Sequence, residues 1–193
     1  MIIPLPCIIM AGGKSSRMGS DKSLLPFDGY ETLTEYQMNR ISGWFQTIYI
    51  SCKSKEKFDF DALFIEDIPE FKEYSPLVAL YSVLKKLHTP VCVLSVDTPF
   101  VTREIFLEMY KMLDYETDAV VARVNQKTHQ LCAIYSRTLL DKMKENLRKN
   151  QHKIQDLFID SNIKYVDFSD EMTFLNLNHK DEYAQAQHIL KRK

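Results

Sequence analysis

The sequence has no excess charge of either sign. Lysine and arginine total 25 against 26 aspartates and glutamates, a net charge of -1, which removes the bulk electrostatic basis for a nucleic-acid binder while leaving room for a local phosphate site. Targeting features are missing too. The longest apolar opening, MIIPLPCIIMAGG, has no cationic leader, is broken by Pro4 and Pro6 and runs into a polar glycine segment, so neither signal peptide nor membrane anchor is expected. Cys7, Cys52, Cys92 and Cys132 lie about forty residues apart with no C-x-x-C pair, which argues against zinc and for reduced thiols packed in the core of a cytoplasmic protein. His88, His129, His152, His179 and His188 show no ligand spacing and are expected at the surface or satisfied locally. There is no internal repeat, low-complexity stretch or linker.

What is present reads as ordinary globular sequence. The 193 residues are 45% hydrophobic and 26% charged, enough for one good core and too few for two, so a single domain over 1–193 is expected. Short apolar runs at 5–11, 47–52, 63–66, 91–96, 119–124, 131–135 and 163–168 alternate with segments of helical period. Most are too apolar to have a wet face. Such strands suit a mostly parallel sheet covered on both sides, so the expected fold class is α/β, three-layered and Rossmann-like. Thr32 with Glu35 forms a T-x-x-E capping box, and Ser75 before Pro76 supplies an N-cap with proline at the first helical position. Further helices are expected near 102–113, 137–149, 153–160 and 180–192.

In an open parallel sheet, ligands bind beyond the carboxyl ends of the strands. The segment Gly12-Gly13-Lys14-Ser15-Ser16-Arg17-Met18-Gly19-Ser20-Asp21-Lys22 follows the first strand and joins three glycines to Lys14, Arg17 and Lys22. Glycines admit backbone N–H groups to phosphate oxygens and the cations neutralise them, which suits a nucleotide triphosphate; the bland alternative is a flexible surface loop. The Walker pattern fails because five residues separate Gly13 from Gly19, and G-x-G-x-x-G does not occur. Asp97 ends the apolar run 91–96 and can hold Mg2+, or merely cap a turn before Pro99. Asn176 and Asn178 alternate with apolar residues, and same-side amides in a buried strand would point to an oxygen-rich ligand or metal. Asp67 is another acid near a strand end, with turn capping as its alternative. The Lys191-Arg192-Lys193 terminus is expected to be a solvated helix end.

Residues 10–22 resemble the L-A-G-G-x-S-x-R-M-G-x-D-K signature of the molybdenum cofactor guanylyltransferases, with nine of ten specified positions identical and Met10 in place of leucine. The resemblance continues through Ile65-Glu66-Asp67, Ser75-Pro76-Leu77, Val96-Asp97-Thr98-Pro99-Phe100, Leu131-Cys132-Ala133-Ile134-Tyr135 and Phe174-Leu175-Asn176-Leu177-Asn178, covering nearly the whole chain. It implies a nucleotidyltransferase fold. It further implies that Met10, Ala11, Gly12, Gly13 and Ser15 line a nucleotide site with Ser51 and Asp67, that Arg17, Lys22 and Asp97 are catalytic, that Asp97 ligates Mg2+, and that Asn176 and Asn178 stand near the metal and the second substrate. The family's G-P-L-x-G appears here as Ser75-Pro76-Leu77-Val78-Ala79, with both glycines replaced.

The implied reaction joins the GMP part of GTP to the terminal phosphate of molybdopterin or its molybdenum form and releases pyrophosphate, with Mg2+ as cofactor. Molybdoenzyme maturation proteins are further expected partners; nucleic acid and membranes are not. The alternatives are a related nucleotidyltransferase using CTP on the same cofactor or an NTP on a sugar phosphate, and a non-catalytic GTP-binding protein that hands the cofactor on.

Overall fold

The structure is a computed structural model in which residues 1–13 and 21–190 are described. Its centre is a seven-stranded sheet built from β1 (Ile3–Met10), β2 (Phe45–Cys52), β3 (Phe64–Glu66), β4 (Val91–Ser95), β5 (Ala119–Val124), β6 (Lys127–Tyr135) and β7 (Ile163–Phe168), in the order β3-β2-β1-β4-β6-β5-β7. All neighbours are parallel except β6, which runs antiparallel to β4 and β5. The apolar runs foretell all seven strands. They do not foretell the direction of β6, which starts four residues earlier than its apolar run because Asn125 and Gln126, both at positive φ, close a two-residue hairpin from β5. Two residues leave no room for the crossover a parallel pair needs. Pro4 and Pro6 are tolerated in a central strand because pairing with β4 begins only at Cys7.

The helices are α1 (Leu33–Arg40), α2 (Pro76–Leu87), α3 (Arg103–Lys111), α4 (Leu140–Arg148) and α5 (Lys180–Leu190). Alternation along β1 assigns the layers: Cys7 and Ile9 face a core shared with Leu33, Tyr36, Phe106 and Met109, whereas Ile8 and Met10 face one shared with Leu77, Leu80, Met143 and Leu147. Thus α1 and α3 cover one face, and α2 and α4 the other. Both expected starts are present, Thr32 Oγ1 accepting from Glu35 N–H at 3.0 Å and Ser75 Oγ from Val78 N–H at 3.2 Å. Glu35, however, takes the Thr32 hydroxyl proton. The segment expected as a helix over 153–160 is a 3-10 helix, Ile154–Phe158, whose three-residue period puts Ile154 and Leu157 together in the core before Ile159, in extended conformation, ends it. All four cysteines are buried and free. Burial pushes their thiols up, Cys52 to about 11, the behaviour of packed and unreactive groups.

Candidate active site

β1 is the switch point of the sheet: the chain continues to β2 and β3 on one side and to β4 on the other. Met10 and Ser95 are register partners at the ends of β1 and β4, and Val96 N–H reaches Met10 C=O at 3.3 Å, so the glycine segment and Asp97 leave the sheet side by side. A cavity of about 320 Å³ opens there, within the size range of small-ligand sites. Met10, Ala11, Gly12, Gly13, Lys22, Asp67 and Asp97 all line it, as do Tyr74, Ser75 and Ala79.

Lys22 opens a 3-10 helix, Lys22–Leu24, whose N-cap is Asp21. Its Nζ donates to Asp97 Oδ2 at 2.6 Å and to Asn178 Oδ1 at 2.9 Å, which brings three elements of the sequence reading to one point across 156 residues. Ser95 Oγ donates to Asp97 Oδ1 at 2.6 Å, so both carboxylate oxygens are engaged. Lys22 and Asp97 are mostly shielded, with side chains 15% and 14% exposed, which makes their charges less screened than a surface pair's. Asn176 and Asn178 do not share a strand face. They follow a 3-10 helix, Glu171–Phe174, in irregular chain; Asn176 Nδ2 donates back to Phe174 C=O, while Leu177 N–H donates to Asp97 C=O at 2.9 Å and lays Asn178 against Lys22. Asn178 therefore joins the cluster by a backbone tie that period-two alternation does not describe.

Asp67 follows β3, with its N–H on Cys52 C=O. Burial pushes its carboxyl up to about 6, against the opposing pull of Lys53. Ser51 is a different case. It is buried in β2, its backbone C=O accepts from Ala11 N–H at 2.9 Å, and its hydroxyl has no hydrogen-bond partner among the described residues and does not line the cavity. Arg17 and Ser15, and the Lys191-Arg192-Lys193 terminus, lie outside the described residues.

Three residues that the sequence reading did not place hold this site together. Lys57 donates to Ala11 C=O at 2.9 Å, Asp21 Oδ2 at 2.7 Å and Ser23 Oγ at 2.8 Å, tying the start of the glycine segment to its end. Burial raises the Asp21 carboxyl, but the hydrogen bonds from Lys57 and Ser23 outweigh it and leave it below its ordinary value. Gln37, fully buried in α1, aims Nε2 at the carbonyls of Ser95, Val96 and Thr98 at 3.1 to 3.2 Å, while Arg40 holds its Oε1 at 2.7 and 2.9 Å. The turn that carries Asp97 is thus gripped from the opposite layer. Tyr74 closes over Gly12, where a Cβ would stand 3.0 Å from its hydroxyl, so a side chain at this position fits only if the tyrosine shifts by a few tenths of an ångström. Their signal in the sequence was weak: a lysine in the charged run Lys53-Ser54-Lys55-Glu56-Lys57, a glutamine in an amphipathic helix, and a tyrosine just ahead of an N-cap.

A glycine turn, an ammonium and a carboxylate thus meet at the carboxyl ends of β1 and β4, and the chain as a whole is similar to known proteins. The chain is 40% identical over 188 residues to a molybdenum cofactor guanylyltransferase of Campylobacter jejuni subsp. doylei, covering 97% of both chains, and 29% identical to the one of Helicobacter pylori strain G27, covering 97% of this chain and 94% of that one. Among solved structures, a molybdopterin-guanine dinucleotide biosynthesis protein A from Archaeoglobus fulgidus superposes with a TM-score of 0.85 over 98% of this chain and all of that one at 21% identity; a protein from Aquifex aeolicus superposes at 0.74 over 92% and 95% at 33% identity. Residues 7–163 match the family described as the MobA-like NTP transferase domain, and with that span, these identities and the shared fold, the chain belongs to this nucleotidyltransferase family.

Proposed function

We propose that this chain, acting as one domain over 1–193 in the cytoplasm, transfers GMP from GTP to the terminal phosphate of molybdopterin or its molybdenum form and releases pyrophosphate. The observation that carries the reading is the meeting of Lys22 with Asp97 and Asn178 beside a cavity lined by Lys22, Asp97, Gly12 and Gly13. The acceptor phosphate is already an anion near neutral pH, so the site needs no strong general base and works by alignment and charge neutralisation. Lys22 and Arg17 serve the triphosphate, Lys22 neutralising the charge that passes to pyrophosphate. Met10, Ala11, Gly12, Gly13 and Ser15 meet the nucleotide by backbone and hydroxyl contacts, and Asp67 and Ser51 support its pocket. Asn176 and Asn178 stand toward the second substrate.

Mg2+ is the proposed cofactor. In this structure the Lys22 ammonium, itself a cation, sits between two hard oxygen donors, Asp97 Oδ2 and Asn178 Oδ1, which is the donor chemistry Mg2+ takes. Asp97 would hold the ion as a carboxylate ligand, in keeping with an ion that draws most of its other oxygens from phosphates and water. When bound, the ion supplies electrophilic stabilisation of phosphate oxygens. Asp97 would hold and orient the ion, and Lys22, beside it, would face the phosphates. Molybdoenzyme maturation proteins are the proposed downstream partners. Among the described residues no helix is long and apolar enough to cross a membrane.

The test is incubation with each of the four radiolabelled triphosphates, molybdopterin and Mg2+. Labelled dinucleotide and pyrophosphate are expected with GTP alone. Turnover with CTP instead would move the chain to the cytidylyl branch, and nucleotide binding without pyrophosphate release would leave a handover protein.

A further inference from the structure

Beside the cavity lies a polar cluster that the transfer chemistry does not use. Ser75, the buried N-cap of α2, lines the cavity in the company of Pro76 and Ala79, apolar neighbours that suit a base better than a phosphate. Its Oγ accepts from Val78 N–H and lies 3.1 Å from Nδ1 of His152, in the segment after α4. The other ring nitrogen, Nε2, is buried, makes no hydrogen bond among the described residues, and has Glu73 Oε2 3.0 Å away as its nearest charge.

With its proton on Nε2, toward a carboxylate that only accepts, the ring offers Nδ1 as an acceptor. Ser75 then gives its one proton to His152, and Val78 takes one of its two lone pairs. An unconstrained serine would rotate to donate or accept as a ligand required; this one has only an acceptor left for the cavity. Asp67, lining the same cavity, is a second acceptor when ionised.

We infer that His152 is a positioning residue for nucleobase selection, acting through Ser75: by consuming the hydroxyl proton it makes this part of the cavity acceptor-only. Such a wall favours a base edge that donates, as the ring N–H and amino group of guanine do, over one that presents a bare ring nitrogen, as adenine does. The inference rests on the reading of the cavity as the nucleotide site.

Calorimetric binding of GDP and ADP to the full chain tests it. His152→Ala frees the Ser75 proton to serve adenine, and the GDP-over-ADP preference is expected to fall by about 3- to 10-fold, the worth of one hydrogen bond. His152→Asn, whose Oδ1 can accept in place of Nδ1, is expected to restore the preference, and Ser75→Gly, which keeps a tolerated N-cap residue, to lose it again. An unchanged GDP-to-ADP ratio in His152→Ala, with both nucleotides weakened alike or not at all, would overturn the role; should that variant fail to fold, a wild-type ratio in Ser75→Gly does the same. Wild-type protein that discriminates GDP through His152 yet turns over no GTP would sink the proposed reaction and leave this inference standing.

Discussion

Asp97 sits at the site on polar contacts alone: its carboxylate touches Lys22 and Ser95, and the core beneath it is made by other residues. Asp97→Ala should therefore abolish turnover with GTP and Mg2+ while leaving the thermal midpoint within a few degrees of the parent; a variant that keeps wild-type rates would remove Asp97 from the reaction. Asp67 carries the pH signature. Its carboxyl, raised by burial from 3.8 to about 6, binds a proton more tightly in the folded chain than in the unfolded one. The group then costs nothing below about pH 4, and its cost to stability grows as pH rises toward 6 and stays constant above. Asp67→Asn is expected to melt higher than the parent at pH 7.5 and level with it at pH 4, read by thermal denaturation at the two pH values. Equal differences at both would assign the effect to packing. Asp67, Asp97 and the glycine turn could be read without coordinates because each stands just after an apolar run, where the strand-end rule places ligands.

At the scale of elements, the site is a product of how α1 meets the sheet. Gln37 delivers one amide nitrogen to three carbonyls of the turn after β4, and Arg40 restrains its oxygen while burial lowers the guanidinium pKa to about 10. Gln37→Leu keeps the bulk and removes that donor. It should cost about 1 to 3 kcal/mol of stability in urea unfolding, the penalty for buried acceptors left unpaired. It should also lower kcat well beyond any change in GTP binding, because Asp97 loses its fixed aim. A kcat equal to wild type would show that the turn holds itself. Lys57 plays the matching part on the other side, closing the glycine segment between Ala11 and Asp21. Neither contact can be read from the chain, since Gln37 reaches 58 to 61 positions and Lys57 reaches 46. A period of 3.6 identifies a helix face, yet it does not say which polar residue on that face will find a carbonyl in another layer. The same limit explains Asn178, whose partner Lys22 lies at the far end of the sequence.

Across the whole molecule, one sheet separates two apolar layers, and every strand of its centre contributes side chains to both. The layers cannot melt apart without dismantling that sheet. Unfolding in urea followed by the fluorescence of Trp44, the one tryptophan, and by far-UV circular dichroism should give coincident transitions, in keeping with a single domain; separated midpoints would divide the chain into two cooperative units. The proposed site lies where the topology reverses, between β1 and β4, whose adjacent ends release the glycine segment and the Asp97 turn side by side.

Local physics carried by the sequence sufficed for the elements: apolar runs too dry for a wet face, a threonine and a serine in capping positions, and glycines and acids at strand ends. It also pointed to a triphosphate site, since a glycine turn rich in cations and an acid at a strand end can be read from residue type and order, whereas the reaction was implied by the resemblance of residues 10–22 to a family signature. Three matters were left to the tertiary structure: the antiparallel turn of β6, the grip of Gln37 and Lys57, and the joining of His152 to Ser75. Each depends on which distant groups the packed layers bring within hydrogen-bond reach, and a hydrogen bond has a strict geometry that no local pattern along the chain contains.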